Sequence, residues 1–503
     1  MHRRTFVTTS LGLLAGTAMT PLTATAQSAP SLRERARQMA REPYQAPSGD
    51  LPPPYDDLDY DAYRAIRPLP GQAAFLDLGP RYSVDLLPPG LYFPNPVQIE
   101  FVRNDEVEVK KFSPDLFSYD TTYFDEIPDE APGAGFTGLR LRTEVNSREV
   151  MDEFLVLQGG TYFRAIGQKM VYGLSTRAVA IGTGEPGEEE FPRFTLVRLH
   201  TPAQEGIVRL EALIDGPSLT GYLDLYANAS EETVTRAKVS LFPRKEIANV
   251  GIAPLTSMFL KGPVRDAAAD DYRPRVHDSD VLMIENGSGE TLWRPITNPS
   301  AHQTSTFSDM APRSFGLYQT DRKFTDFEDN EAHYHDRPSA RIEPRGDWGP
   351  GSVQLVEIAT DTEFMDNIVA FWRPDAPLEA GGEYDFDYDV VWTRQDPAQD
   401  FPVQIVETRS GRKHDEPGVR TFVIDVSGNP EVLTPELKAN AGKVSDVVIF
   451  PLPEHTERHR VSFHLDPGES EAVELRLSLR DPDGQAAAPV WLHRWTPGRD
   501  GGV

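Results

Sequence analysis

From about residue 80 onward, apolar side chains recur at every second position in short runs. Leu139 and Leu141 alternate with Arg140 and Arg142; Val208, Leu210 and Ala212 alternate with Arg209 and Glu211; Val353 and Leu355 flank Gln354. A period of two puts neighbouring side chains on opposite faces of an extended chain, so these runs predict strands with one face buried. Gly and Pro clusters interrupt them at Pro88-Pro89-Gly90, Thr183-Gly184-Glu185-Pro186-Gly187 and Gly287-Ser288-Gly289. With 44 Pro and 38 Gly in 503 residues, turns are too frequent for a mainly helical chain. Strands do not alternate with helices, which argues against a doubly wound parallel sheet. No unit of about 20–50 residues repeats, which argues against a propeller or solenoid. The expected class is all-β.

Two short segments depart from this pattern. Residues 32–41, rich in Arg, Ala and Glu, read as a helix. Asp57-Leu58-Asp59-Tyr60-Asp61 reads as a helix N-terminus leading into Tyr63 and Ile66. It resembles a calcium-loop fragment but lacks the Gly and the distal Glu that such a loop requires. Ahead of both, Arg3-Arg4, the apolar positions Leu11, Leu13 and Leu14, and Ala24-Thr25-Ala26 predict an export signal peptide of twin-arginine type over residues 1–26. No later run approaches the ~20 apolar residues of a membrane-spanning helix.

The polar, Pro-bearing stretch 394–402 reads as a linker between a domain over 27–393 and a second over 403–503. In the second, 422–426, 447–450, 461–465 and the alternating run 473–480 predict short strands. Their size and spacing suit a small immunoglobulin-like sandwich.

Charge and residue chemistry narrow the function. Lys and Arg number 50 against 78 Asp and Glu, a net charge of -28. Such a surface repels phosphate backbones and anionic lipid heads, so nucleic acid is not an expected partner and a neutral one fits better. The absence of Cys removes disulfides, thiolate metal sites and cysteine nucleophiles together. There is no Gly-x-Ser-x-Gly elbow, and the eleven His follow no helical metal-binding pattern. His333 and His335 are close, but no third ligand is evident nearby, so neither a metal nor a cofactor is expected. Gly184 and Gly187 sit among Glu185 and Glu188-Glu189-Glu190, which would repel a phosphate; a surface hairpin is the expectation there.

Carboxylates beside aromatics are more suggestive. Between His277 and Trp372, the acids Asp278, Glu331, Asp361, Glu363 and Asp366 lie among Trp293, Phe315, Tyr334, Trp348 and Trp372. Sugar-processing sites need two acidic groups flanking the scissile bond and flat aromatic faces against which pyranose rings pack. Composition alone does not choose the pair.

Longer strings do more. They are Asp152-Glu-Phe-Leu-Val-Leu157, Gly160-Thr-Tyr-Phe-Arg-Ala165, Tyr172-Gly-Leu-Ser175 and Ala253-Pro-Leu-Thr-Ser-Met258. Tyr272-Arg-Pro274, His277-Asp-Ser279, Trp293-Arg-Pro295 and Arg313-Ser-Phe-Gly-Leu317 follow. Arg337-Pro-Ser339, Gly346-Asp-Trp-Gly349 and Asp366-Asn-Ile-Val-Ala-Phe-Trp372 complete the series. In this order, across about 90–372, they resemble the periplasmic glucan biosynthesis proteins G and D, the family associated with osmoregulated periplasmic glucans of Gram-negative bacteria.

The resemblance implies a large N-terminal β-sandwich of galactose-mutarotase-like shape and a small immunoglobulin-like C-terminal one. It implies a periplasmic location and a neutral β-1,2-linked glucan as substrate. Some members resemble inverting β-1,2-glucanases of glycoside hydrolase family 186, others transglycosylases or cyclising enzymes. Carried over by motif, the general acid falls on Asp366 and the base-side carboxylate on Asp278. Glu363 and Tyr334 fall at positions lining the cleft, and Tyr334, Trp348 and Trp372 are expected to include glucan-contacting groups. Neighbouring Asp361 and Glu363 are expected to favour the protonated form of Asp366 by like-charge repulsion. The alternative is a non-catalytic glucan-binding or scaffold protein that assists a membrane glucan synthase. The segment 409–420 is shorter than expected for enterobacterial members. In glucanase-like members it helps to cover the cleft across a homodimer, so the short form bears on rate, dimer contribution and product pattern.

Overall fold

The computed structural model describes residues 31–498, apart from 70–74, 78–81, 105, 203–205, 265–270, 396–397, 429–432, 454 and 456. The expected export signal over 1–26 and two positions of the expected linker lie outside the described residues.

Alternation becomes strand where it was expected. In Gly138–Thr143, Leu139 and Leu141 are buried while Arg140 and Arg142 face the other side. Strand Val208–Asp215 buries Val208, Leu210 and Ala212 on one face, yet Leu213 is buried as well. The helix Leu32–Met39 explains this, because Leu32 and Ala36 cover the outer face there together with Leu196, Tyr222 and Phe242. The second expected helix is Tyr60–Arg64, and Asp59 caps it by accepting from Ala62 N at 2.8 Å.

Among the described residues, the strands gather chiefly into sheets of eleven, fourteen and four. One path through the first runs Tyr82–Leu87, Gly138–Thr143, Asp152–Gln158, Tyr162–Ala165, Ser175–Arg177, Val250–Ser257, Ile368–Pro374, Gly351–Glu357. The fourteen-stranded sheet includes Val208–Asp215, Leu219–Asn228, Thr233–Pro243 and Tyr384–Thr393 as antiparallel neighbours. Val84, Leu139, Leu155 and Val353 of the first sheet share a core with Leu210, Leu223, Leu241 and Val390 of the second. This is an all-β sandwich, as expected.

A buried ion pair joins the two sheets. Arg294, on Thr291–Pro295, donates through Nη2 to Glu357 Oε2 at 3.1 Å, with side chains 2% and 0% exposed. Thr297 donates to Oε1 of the same carboxylate from its N (2.7 Å) and its Oγ1 (2.8 Å), and Gln303 Nε2 donates to Oε2 (2.7 Å).

Toward the C-terminus, Val403–Arg412, Arg420–Gly428, Arg458–Asp466 and Lys443–Pro451 form the four-stranded sheet. It shares a core with Val473–Arg480 and Val490–Trp495 through Phe422, Ile424, Phe463, Leu475, Leu477 and Trp491. Val281, Met283, Trp293 and Tyr318 belong to the same core, and Trp293 pairs with Trp491 where Thr291–Pro295 runs parallel to Val490–Trp495. The short segment after Thr408 is a hairpin in which Arg412 faces Arg420 and Lys413 binds Glu416 at 2.5 Å.

Arg275 ties this C-terminal part to the rest, reaching Glu407 at 2.7 Å and Asp321 at 2.9 Å. Burial pushes the Asp321 carboxyl up to about 7, with the charge of Asp280 adding to it and Arg275 opposing. An unfolded Asp titrates near ~3.9. Between these values the folded protein holds a proton at Asp321 that the unfolded chain has released, so the contribution of this carboxyl to stability falls as pH rises from ~4 to about 7 and is level above that. Asp321→Asn should reduce this decline. Urea unfolding of both proteins at pH 5 and pH 8 measures it, and an unchanged difference would assign the slope to other groups.

Candidate active site

The groove lies over the polar face of the first sheet. Along Tyr82–Leu87, Gly138–Thr143, Asp152–Gln158 and Tyr162–Ala165, one set of alternate residues enters the core. Asp85, Arg140, Arg142, Glu153 and Arg164 line a groove of about 920 Å³ on the opposite face. Asp85 is opposite Arg140 in register and accepts from Arg140 Nη2 at 2.6 Å and Arg142 Nε at 2.8 Å. Glu153 accepts from the same two guanidinium groups at 2.9 and 2.8 Å. The four charges cancel, giving a rigid, hydrogen-bonded floor. Tyr60, Tyr63 and Arg64 of the capped helix form a wall, and Phe93, Tyr162 and Tyr172 add aromatic surface.

Of the six expected site residues, Asp366 lines this groove. It stands exposed at the end of the turn before strand Ile368–Pro374 and makes no hydrogen bond to another described residue. The turn is held instead by its buried neighbour Asn367. That side chain accepts from Phe259 N at 2.8 Å and donates to Phe259 O at 3.0 Å and Ile358 O at 2.9 Å. A capping role for Asp366 is therefore not what fixes this loop.

Asp278 follows the short strand Val276–His277 and is 4% exposed. Burial raises its pKa; the Arg337 guanidinium, which donates to Oδ1, works against that, and the charge of Asp366 works with it. The two expected carboxyls thus lie within each other's electrostatic reach. Arg164, on the groove floor, also favours the ionised form of Asp278. The neighbouring His277 is fully buried, stacks on Phe259 with ring centroids 5.2 Å apart, and has its pKa pushed down to about 3 by burial. It is neutral and serves as packing.

Glu363 and Tyr334 meet in an adjoining network. The Tyr334 hydroxyl donates to Glu363, and Arg273 grips both oxygens of that carboxylate at 2.9 and 3.0 Å. Burial opposes ionisation of Glu363, but the hydrogen bonds from Arg273 and Tyr334 outweigh it, and its pKa falls. Arg273 also pairs with Asp271 at 2.8 Å and Asp329 at 2.6 Å, so one cation is shared by three carboxylates and offsets the charge of Glu363 only in part. Tyr334 is 2% exposed and packs in a small cluster with Met258, Leu260, Val276 and Phe327, while the Arg337 guanidinium lies 4.4 Å from its ring centre. It acts on this region through its hydroxyl and not by offering a face to solvent.

The expectation that Trp348 and Trp372 touch a glucan is corrected by their placement. Trp372 is fully buried, and Trp348, 9% exposed, is edge-on to Phe386 and Tyr388. Both belong to the sandwich core, as does Phe315, while Trp293 belongs to the C-terminal core. The exposed aromatic beside the candidate acid is Phe364, 93% exposed and two residues before Asp366.

The sequence matches the model of the family described as "Periplasmic glucan biosynthesis protein, MdoG" over residues 28–495. The chain belongs to this family. Relatives carry the name "Glucans biosynthesis protein G". One from Vibrio cholerae serotype O1 is 41% identical over 470 residues, covering 92% of this chain and 85% of its own length. One from Rhodopseudomonas palustris is 40% identical over 474 residues, covering 92% of each chain. A third, from Shewanella frigidimarina, is 38% identical over 468 residues, covering 92% of this chain and 83% of its own. Membership makes this a periplasmic protein of glucan biosynthesis. No helix among the described residues is long and apolar enough to cross a membrane.

Several groove residues lie in the very strings that carry the family resemblance. Glu153, Tyr162, Arg164 and Tyr172 are all in them, as is Arg273 of the adjoining network, though none stands out there as a site residue. For Glu153, Tyr162 and Arg164 the available signal was the polar half of each alternating strand. A polar face normally meets water, and nothing local marks one that floors a groove.

Proposed function

We propose that the chain is an enzyme acting on a β-1,2-linked glucan, by inverting hydrolysis or by chain transfer. Asp366 is the general acid and Asp278 the base-side carboxylate. The observation that carries this reading is Asp366: an exposed carboxyl with no hydrogen bond to another described residue, on a groove of about 920 Å³, within the field of a second, buried carboxyl. Protonated Asp366 delivers its proton to the glycosidic oxygen as the bond from that oxygen to the anomeric carbon breaks. The acceptor hydroxyl, from water or from another glucan, attacks the opposite face and loses its proton toward Asp278. Because Asp278 is nearly closed off and bound by Arg337, that proton passes through an intervening hydroxyl or water. Tyr60, Phe93, Tyr162 and Phe364 offer the flat faces that pyranose rings pack against.

The same groove suits a glucan-binding scaffold that assists a membrane glucan synthase. Incubating purified protein with linear β-1,2-glucan and following chain length separates the two readings. Shortened or redistributed chains support catalysis, whereas binding with unchanged length supports the scaffold.

Tyr334→Phe should keep the ring and its packing while removing the hydroxyl that holds Glu363. A hydrogen bond to a charged group contributes about 1.5–3 kcal/mol, so the variant should fold, melt lower and turn over glucan more slowly. Tyr334→Ala should lose more stability, about 3–5 kcal/mol, by opening a cavity. Thermal melts of both variants check this; a Tyr334→Phe variant that melts with wild type would remove the hydroxyl from the account.

A further inference from the structure

On either side of Tyr334, His333, His335 and Asp336 gather two imidazoles and a carboxylate. One ligating atom from each lies within 4.8 Å of the others. The sequence shows the His pair without a third partner; the 3₁₀ turn Tyr334–Asp336 supplies it by bringing Asp336 beside His335. His335 Nε2 is 3.3 Å from Asp336 Oδ2. Two ligands that share a tetrahedral ion at ~2.0–2.1 Å stand about that far apart. The other carboxylate oxygen accepts from Arg394 Nη1 at 2.7 Å, which fixes the group and leaves Oδ2 facing His335.

The His335 ring makes no hydrogen bond to a described residue, and its Nδ1 is buried without a partner. An imidazole in that position, with Nε2 facing Asp336 and Nδ1 unpaired, has a ring nitrogen to give to an outside ligand. His333 is exposed, so an ion can enter from solvent. Its backbone is left-handed, at φ 50° and ψ 44°, and its ring centre lies 6.0 Å from that of His335.

We propose that His333, His335 and Asp336 bind a divalent transition-metal ion of the zinc class. Two imidazoles and one carboxylate suit such ions, whereas calcium and magnesium prefer all-oxygen sites. The ion's place in the chain defines its role. The segment 333–337 also carries Tyr334, which binds Glu363, and Arg337, which binds Asp278. A bound ion clamps that segment and so holds both partners in position. The glycosidic step at Asp366 does not run through it.

The test uses the tag-free, full-length protein after chelator treatment, titrated with Co²⁺ as a visible-absorbing probe. One Co²⁺ per chain should bind, with the d–d absorption of a low-coordinate site, and Zn²⁺ should displace it. Zn²⁺ alone should raise the melting temperature in proportion to the logarithm of its concentration above Kd, and Ca²⁺ should not. His333→Ala and His335→Gln should each weaken binding at least about tenfold, since loss of even an outer-shell partner costs roughly 10–100-fold. His333 is exposed, so His333→Ala keeps the test valid if the second variant folds poorly. Absence of stoichiometric binding would overturn the proposal, as would full affinity in both variants.

Discussion

Asp366→Asn should lower kcat on linear β-1,2-glucan by ~10²–10⁴ while glucan affinity changes little. Asn keeps the size and much of the polarity but has no proton to deliver to the departing glycosidic oxygen. The fold should be indifferent, because Asp366 is exposed and Asn367, not Asp366, ties the loop to Phe259 and Ile358. Circular dichroism and the melting temperature should match wild type. Asp278→Asn should also reduce turnover, but with a loss of stability, since Arg337 would then face an amide instead of a carboxylate. The two variants therefore separate chemistry from structure. Full activity in Asp366→Asn would remove that residue from the chemistry and require another group as the general acid.

Arg294→Met should destabilise the protein by about 3–5 kcal/mol, the usual cost of leaving a buried charge without its partner. Glu357 is fully buried and lies on the other sheet, so its carboxylate would keep its bonds from Thr297 and Gln303 but lose its cation. Urea unfolding measures the change through the midpoint at unchanged slope. Adding Glu357→Gln should recover part of the loss, because the uncompensated charge is then gone. A single variant as stable as wild type would mean that Thr297 and Gln303 suffice, and that the ion pair does not hold the sheets together.

Much of the fold is legible because strand and cap signals are local. Leu139 and Leu141 announce a buried face by spacing alone, and Asp59 announces its helix by its side-chain oxygen. The C-terminal strands are equally plain, but the sharing of their core with Trp293 and Tyr318 is not. The parallel pairing of Trp293 with Trp491 joins residues nearly 200 positions apart, and no local pattern encodes it.

The site divides in the same way. Asp366 and Asp278 are proposed from motif strings, and the charge of Asp366 reaches Asp278. The aromatic assignments fail for Trp348 and Trp372 because a Trp near acids in sequence can face either side of its strand. Tyr162 and Arg164 reach Asp366 only through sheet order. Strand Tyr162–Ala165 adjoins Ser175–Arg177, which adjoins Val250–Ser257, which adjoins Ile368–Pro374. Asp336 adjoins His335 in sequence, but it takes the 3₁₀ turn to bring its carboxylate within reach of both imidazoles.

The central claim is that the groove performs inverting chemistry on a β-1,2-linked glucan. Its most direct test is proton NMR of the anomeric region while purified protein acts on linear β-1,2-glucan. If hydrolysis proceeds as described, the first reducing-end signal is the α-anomer, with the β-anomer appearing later by mutarotation. Under chain transfer, reducing ends stay constant while chain lengths redistribute and the new linkages carry inverted configuration. Immediate appearance of the β-anomer would contradict the assignment of Asp366 and Asp278, and a spectrum that never changes would contradict catalysis itself.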